Sequence, residues 1–123
     1  MAFVADYVLD AALTKLDTEA NRLDITSQEA TTYTQATSTY TLGNKTSLSV
    51  GSPEDATPNG RKVVVAAITG GSVTATGTAS HWAIVDTSNS RLLATGALSA
   101  SQAVTSGNTF TLAAFDVRIP DAA

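Results

Sequence analysis

His81 is the only histidine in the chain, and it stands beside the only tryptophan, Trp82, with Asp86 five residues further on. A base, an aromatic wall and a carboxylate to orient the base would be the beginnings of nucleophilic catalysis. The spacing argues against it. An uninterrupted strand puts residues five apart on opposite faces, and no nucleophile is singled out among the many serines. The expectation is a strand-end histidine bonded to backbone, with Trp82 anchoring a core or an interface.

The other chemistry-bearing residues are read in the same way. Glu54-Asp55 lacks the alternating carboxylates and following glycine of a calcium loop, and is expected at a solvated loop tip. Gly70-Gly71 fits neither phosphate-binding glycine pattern and reads as a turn. Arg61-Lys62, the only adjacent basic pair, reads as a solvated strand start, and less readily as a clasp for a partner's carboxylate. Asn44-Lys45-Thr46 has the form of a glycosylation acceptor without a secretory signal to give it meaning. With no cysteine, disulfides, thiolate zinc sites and thiol catalysis all fall away. No catalytic, cofactor-binding or metal-binding residue is assigned, no cofactor is expected, and the chain reads as non-enzymatic.

Composition narrows the partners. At 123 residues, 43% hydrophobic and 15% charged, the chain reads as a single globular domain spanning 1–123. A net charge of −4 disfavours nucleic acid and anionic membrane surfaces. Asp6 and Asp10 interrupt any apolar leader, so cytoplasmic synthesis is expected.

The elements that would position these residues follow from periodicity. Leu9, Leu13, Leu16 and Ala20 recur at helical steps, widened by Val8 and Ala12, predicting an α-helix over 6–20 with Asp6 as N-cap and Asn21 as its stop. Lys15 and Glu19 are spaced as an i,i+4 pair. From 22 to 119 the pattern is β. Arg22–Ser27 alternates as a half-buried strand, and 28–46 suits an edge strand or an ordered loop. Ser47–Val50 reads as a short strand, 51–60 as a long loop, and Arg61–Ile68 as the sheet centre. His81–Val85 and Arg91–Ala94 flank a turn at Asp86–Ser90, giving a hairpin.

Near the end, Phe110 and Leu112 share one face, and Phe115, Val117 and Ile119 share another. The odd step between the two sets demands a bulge or bend at Ala113-Ala114. About seven short strands and one N-terminal helix predict a mainly β fold, an antiparallel β-sandwich of jelly-roll or immunoglobulin-like kind.

Five stretches carry a resemblance: Leu23–Ala36, Tyr40–Pro53, Gly60–Val65, Thr76–Asp86 and Leu92–Asp121. The chain resembles small structural proteins encoded among the virion genes of tailed bacteriophages. The specific parts are the hairpin Ala79–Leu98 and the ending Ser106–Pro120. The resemblance implies a particle component, located in the virion after synthesis in the host cytoplasm, and supplies no catalytic residues. A capsid decoration or cement protein is the leading expectation, with the major capsid protein or another virion protein as partner. It is expected as a homo-oligomer, a trimer among the candidates. A tail, head–tail connector or fibre-base component is the alternative. A carbohydrate-binding adhesion module, stacking sugars on Trp82, Tyr33 and Tyr40, is the second. Phe3, Val4, Tyr7, Tyr33 and Tyr40 are the expected partner-interface residues, since they offer aromatic or apolar anchors outside the clearest β core.

Overall fold

A computed structural model describes residues 5–57 and 59–119. After the helix α1 (Asp6–Glu19) come nine strands among the described residues: β1 (Arg22–Thr26), β2 (Thr41–Thr46), β3 (Glu54–Asp55), β4 (Arg61–Val65), β5 (Ile68–Val73), β6 (Gly77–Asp86), β7 (Arg91–Val104), β8 (Thr109–Leu112) and β9 (Phe115–Ile119). They form two sheets, six strands in the order β7-β6-β1-β2-β5-β8 and three in the order β3-β4-β9. All the pairings are antiparallel. The fold is mainly β with one N-terminal α-helix, and the large sheet curls into a half-barrel. The curl brings its two outer strands together at one point, where the Gln102 side-chain amide donates to the Thr111 carbonyl at 3.2 Å.

The main core lies between the sheets. Leu23 and Ile25 of β1 and Trp82 and Ile84 of β6 meet Val63 and Val65 of the small sheet. Leu9, Leu13 and Leu16 bury the inner stripe of α1, and Lys15 donates to Glu19 at 3.0 Å on its outside. Two details of the helix differ from the sequence reading. The N-cap position is Ala5, with no side-chain cap, and Asp6 lies in the first turn. Val8 is 56% exposed, so the stripe is narrower than the spacing suggested. Asn21 does mark the end: its side-chain oxygen accepts from the Thr87 backbone N–H at 3.0 Å, tying the helix exit to the β6–β7 turn.

β1 is buried on both faces, not one. Asp24 and Thr26, opposite Leu23 and Ile25, are also at 0% exposure, because the 27–40 segment folds back over them. That segment is neither an edge strand nor a plain loop. It contains a short π-helical turn, Gln35–Thr39, and its Ala30 and Ala36 form a second small core with Ala83 and Val85, flanked by Tyr33, Tyr40 and Leu92. Small alanines let the turn approach the sheet closely.

Further differences concern glycine and strand limits. Arg61–Ile68 is two strands, with β4 in the middle of the small sheet and Ile68 opening β5 in the large one. Ser47–Val50 contributes only a single bridge, Val50 to Val65. Gly70-Gly71 is not a turn but lies within β5, at a register shift between Ile68 and Gly71. Gly70 there takes a left-handed φ of 72°. A Cβ on Gly71 would stand 2.4 Å from the Phe110 ring, so the ring lies flat on the strand only because the side chain is missing. The expected break at Ala113-Ala114 is where the chain leaves the large sheet at Leu112 and enters the small one at Phe115.

Because α1 is held chiefly by its leucine stripe, Leu13→Ala should cost about 2–5 kcal/mol. Urea titration followed by circular dichroism measures it. A loss below 1 kcal/mol would mean that the helix is not part of the cooperative unit.

Candidate functional site

Ser80 and His81 sit side by side on β6, with Ser80 Oγ 2.8 Å from His81 Nδ1. The Ser80 hydroxyl also donates to the Ser27 carbonyl at 3.0 Å. A hydroxyl has one proton, so the ring nitrogen is the donor in the first contact, not a base taking the serine proton. Asp86 faces elsewhere: its carboxylate accepts from the Ser88 backbone N–H at 2.9 Å and the Asn89 amide at 2.7 Å. These bonds, the Asn89 amide first, hold the Asp86 carboxyl below its ordinary pKa. It builds the hairpin turn.

Asp24 is the buried charge that alternation alone did not reveal. Arg22 grips it through two bonds, Nε to Oδ1 at 2.7 Å and a terminal nitrogen to Oδ2 at 2.9 Å, and the Thr41 hydroxyl adds a third at 2.6 Å. Burial pushes the Asp24 carboxyl above its ordinary range, against the downward pull of Arg22 and Thr41. Next to it on the strand, Thr26 Oγ1 is buried without a protein partner. The arrangement locks β1 to β2 beneath the 27–40 cover.

Arg61 and Lys62 open β4 as expected, but their side chains are largely covered and engaged in ion pairs and not free in solvent. Arg61 bonds Asp10 of α1 at 2.7 Å and Asp55 of β3 at 2.6 Å, joining three elements. Lys62 pairs with Asp116 at 3.5 Å and Glu54 at 3.7 Å across the small sheet. Glu54 and Asp55 are exposed, as expected, but they form the two-residue strand β3 and pair with Lys62 and Arg61. No group of three or more metal-ligating side chains occurs among the described residues.

The feature shaped to receive something is a cleft of about 380 Å³ at the seam where the curled sheet fails to close. One wall is β7 from Gly96 to Gln102; the other is the corner from Leu112 through Ala113-Ala114 to Asp116. Trp82 and Phe115 form the floor, with ring centroids 4.7 Å apart. Trp82 lies this low because residue 96 has no side chain: a Cβ there would be 2.5 Å from the indole.

The β7 wall is also irregular. Ala79 pairs with Gln102 and His81 with Ala97, so one β6 residue, Ser80, opposes four on β7, Leu98–Ser101. The bulge swings their backbone over the cleft and away from β6. Among the described residues the Trp82 indole N–H donates to no protein acceptor, although the residue is only 8% exposed.

The sequence-expected interface residues do not gather at one place. Phe3 and Val4 lie outside the described residues. Tyr7 is 84% exposed at the start of α1. Tyr33 and Tyr40 are half-buried against the second core, where they hold the 27–40 cover in place. The cleft residues Gly96, Leu98 and Gln102 were not singled out. The available signals were a lone glycine inside a strand pattern, which marks a bulge or close approach, and the odd step from Leu112 to Phe115.

Comparison with protein-family models, curated proteins and solved structures finds no match to this chain.

Two measurements follow. Asp24 has a raised folded pKa, so its proton is held more tightly in the native state, and lowering the pH through that value favours folding at this site. Asp86 is depressed and behaves oppositely: its contribution is present above the ordinary carboxylate pKa of 3.8 and is lost as pH falls through the folded value. Going from pH 7 to pH 3, the wild-type-minus-D24N urea midpoint should therefore rise and the wild-type-minus-D86N midpoint should fall. Equal slopes would contradict the assignment. Gly96→Ala should cost about 1–3 kcal/mol by overpacking and shift Trp82 emission to the red, whereas an unchanged spectrum would mean that the indole does not rest on Gly96.

Proposed function

We propose that the protein is a non-enzymatic structural component of a tailed-phage virion, a decoration or cement protein that binds and stabilises the outer capsid surface. The observation that carries this reading joins sequence to structure. The two most specific stretches of the resemblance, Ala79–Leu98 and Ser106–Pro120, supply the floor, the first part of the β7 wall and the corner wall of the seam cleft, through Trp82, Gly96, Leu98, Leu112 and Phe115. The most recognisable residues thus surround a receptive surface and not a reaction centre.

The residues with chemical potential support the same reading. Asp24, Arg61, Asp86 and Ser80 spend their polar atoms on intramolecular bonds that hold the sheets, helix and turns. Trp82 presents little of its ring face at 8% exposure, and Tyr33 and Tyr40 lean on the second core, so the three rings considered for sugar stacking do not form one open platform. The partner on this reading is the major capsid protein, engaged at many symmetry-related positions in the assembled particle, so that modest contacts gain avidity.

Purified protein added to undecorated heads should bind saturably, on the order of hundreds of copies per head, as repetition over a capsid lattice demands. Saturation at about a dozen or fewer copies would instead place it in a tail, connector or fibre base. No saturable binding to heads or tails would remove the proposal.

A further inference from the structure

Asn59-Gly60 ends the connection from β3 to β4 and takes no part in the seam cleft. Asparagine is a chemically labile residue, and its commonest reaction uses the backbone nitrogen of the residue that follows. That nitrogen attacks the side-chain amide carbon, a new C–N bond closes a cyclic imide, and the amide nitrogen leaves as ammonia with the displaced proton. Water then opens the imide at either carbonyl. One opening gives aspartate; the other routes the main chain through the side chain as isoaspartate. The net change is water taken up and ammonia released, with no oxidant or cofactor.

The chain has five asparagines, and the fold treats them unequally. Asn21 Oδ1 accepts from the Thr87 N–H and hydroxyl. Asn44 is held in β2 between Asp24 on one side and Ser72 on the other. The Asn89 amide donates to Asp86 at 2.7 Å. Asn108 donates its N–H to the Thr105 carbonyl and accepts at its own carbonyl from the Val73 N–H. Each of these four is followed by a residue whose side chain crowds the attacking nitrogen: Arg22, Lys45, Ser90 or Thr109. Asn59 is exposed and is followed by glycine. Gly60 has a left-handed φ of 86°, a conformation glycine adopts without a Cβ penalty. The turn calls for a glycine here, and that same glycine leaves the attacking nitrogen open. We propose that Asn59-Gly60 is a modification site, at which the folded protein converts Asn59 to isoaspartate through an imide with Gly60 and so loosens the β3–β4 hairpin.

The loosening follows from geometry. Isoaspartate adds a methylene to the main chain, and it falls inside the turn closed by the Ala56 N–H donating to the Gly60 carbonyl at 3.0 Å. The next pair outward is Asp55 with Arg61, and β3 has only two residues over which to absorb the change. Arg61 holds Asp55 at 2.6 Å and Asp10 of α1 at 2.7 Å, so the hairpin belongs to the same tie that fastens the helix. The product also adds one negative charge to a chain of net charge −4. This chemistry proceeds whether or not the protein binds heads.

The test is to hold the folded full chain at mildly alkaline pH and body temperature. Peptide mapping by mass spectrometry follows the NH2-to-OH exchange at each asparagine, and methyl transfer by an isoaspartyl methyltransferase detects isoaspartate. Asn59 should react first, with isoaspartate among its products. In the isoaspartyl fraction, separated by ion exchange, the Ala56 amide should lose the protection from deuterium exchange that it has in fresh protein. Asn59→Gln keeps Gly60 and would need a larger, slower ring, so it should lose the reaction at this position. Fresh Asn59→Asp carries the charge without the methylene and should keep the Ala56 amide protected. Earlier reaction at another asparagine, aspartate as the sole product, or Asn59→Gln ageing like wild type would each overturn the proposal. So would an isoaspartyl form whose Ala56 amide stays protected, or an Asn59→Asp variant as open as the aged protein.

Discussion

Trp82 occupies its position because Gly96, across the β6–β7 ladder, has no side chain, and the indole rests where a Cβ would stand. Much of the remaining architecture follows from that close approach. With the indole low, Phe115 can tilt against it at 4.7 Å and bring β9 over the large sheet. β9 then pairs with β4 from Phe115–Val65 to Ile119–Arg61, so Val63 and Val65 cover Leu23 and Ile25. The six-stranded sheet curls but does not close, since part of β7 beyond Gly96 bulges away from β6. The unclosed seam is the cleft.

Polar contacts serve the same construction. Arg61 fastens α1, β3 and β4 at one end of the small sheet, while Asp24, Arg22 and Thr41 fasten β1 and β2 beneath the 27–40 cover. The buried carboxylate is held at a cost, since desolvation outweighs its bonds, and such a group specifies an arrangement more than it stabilises one. Asp24, Arg61, Asp86 and Ser80 therefore act as fasteners of the fold.

Where local pattern governs, the fold was legible in the sequence. The leucine stripe of α1, the hairpin about Asp86–Ser90, and the apolar alternation of β8 and β9 all follow from spacing, and the odd step at Ala113-Ala114 marked the exchange between sheets. What local pattern cannot express was misread. Asp24 and Thr26 alternate like solvent-facing residues, and only the distant 27–40 segment buries them. Gly70-Gly71 has turn composition, yet in the fold it makes a bulge that accepts the Phe110 ring from a strand forty residues on. Val8 fits the helical stripe by angle and yet is 56% exposed. The cleft itself was not legible, since it depends on two walls from separate strands and on a bulge visible only in the register.

The central claim is that this molecule works by contact through the seam over Trp82. Hydrogen–deuterium exchange of the protein, free and bound to undecorated heads, tests it most directly. Backbone amides of 98–100 and 113–114 lie along the cleft outside the paired ladders, and should exchange readily in the free protein and become protected on binding. Protection confined to other surfaces, or binding that leaves these amides unchanged, would contradict it.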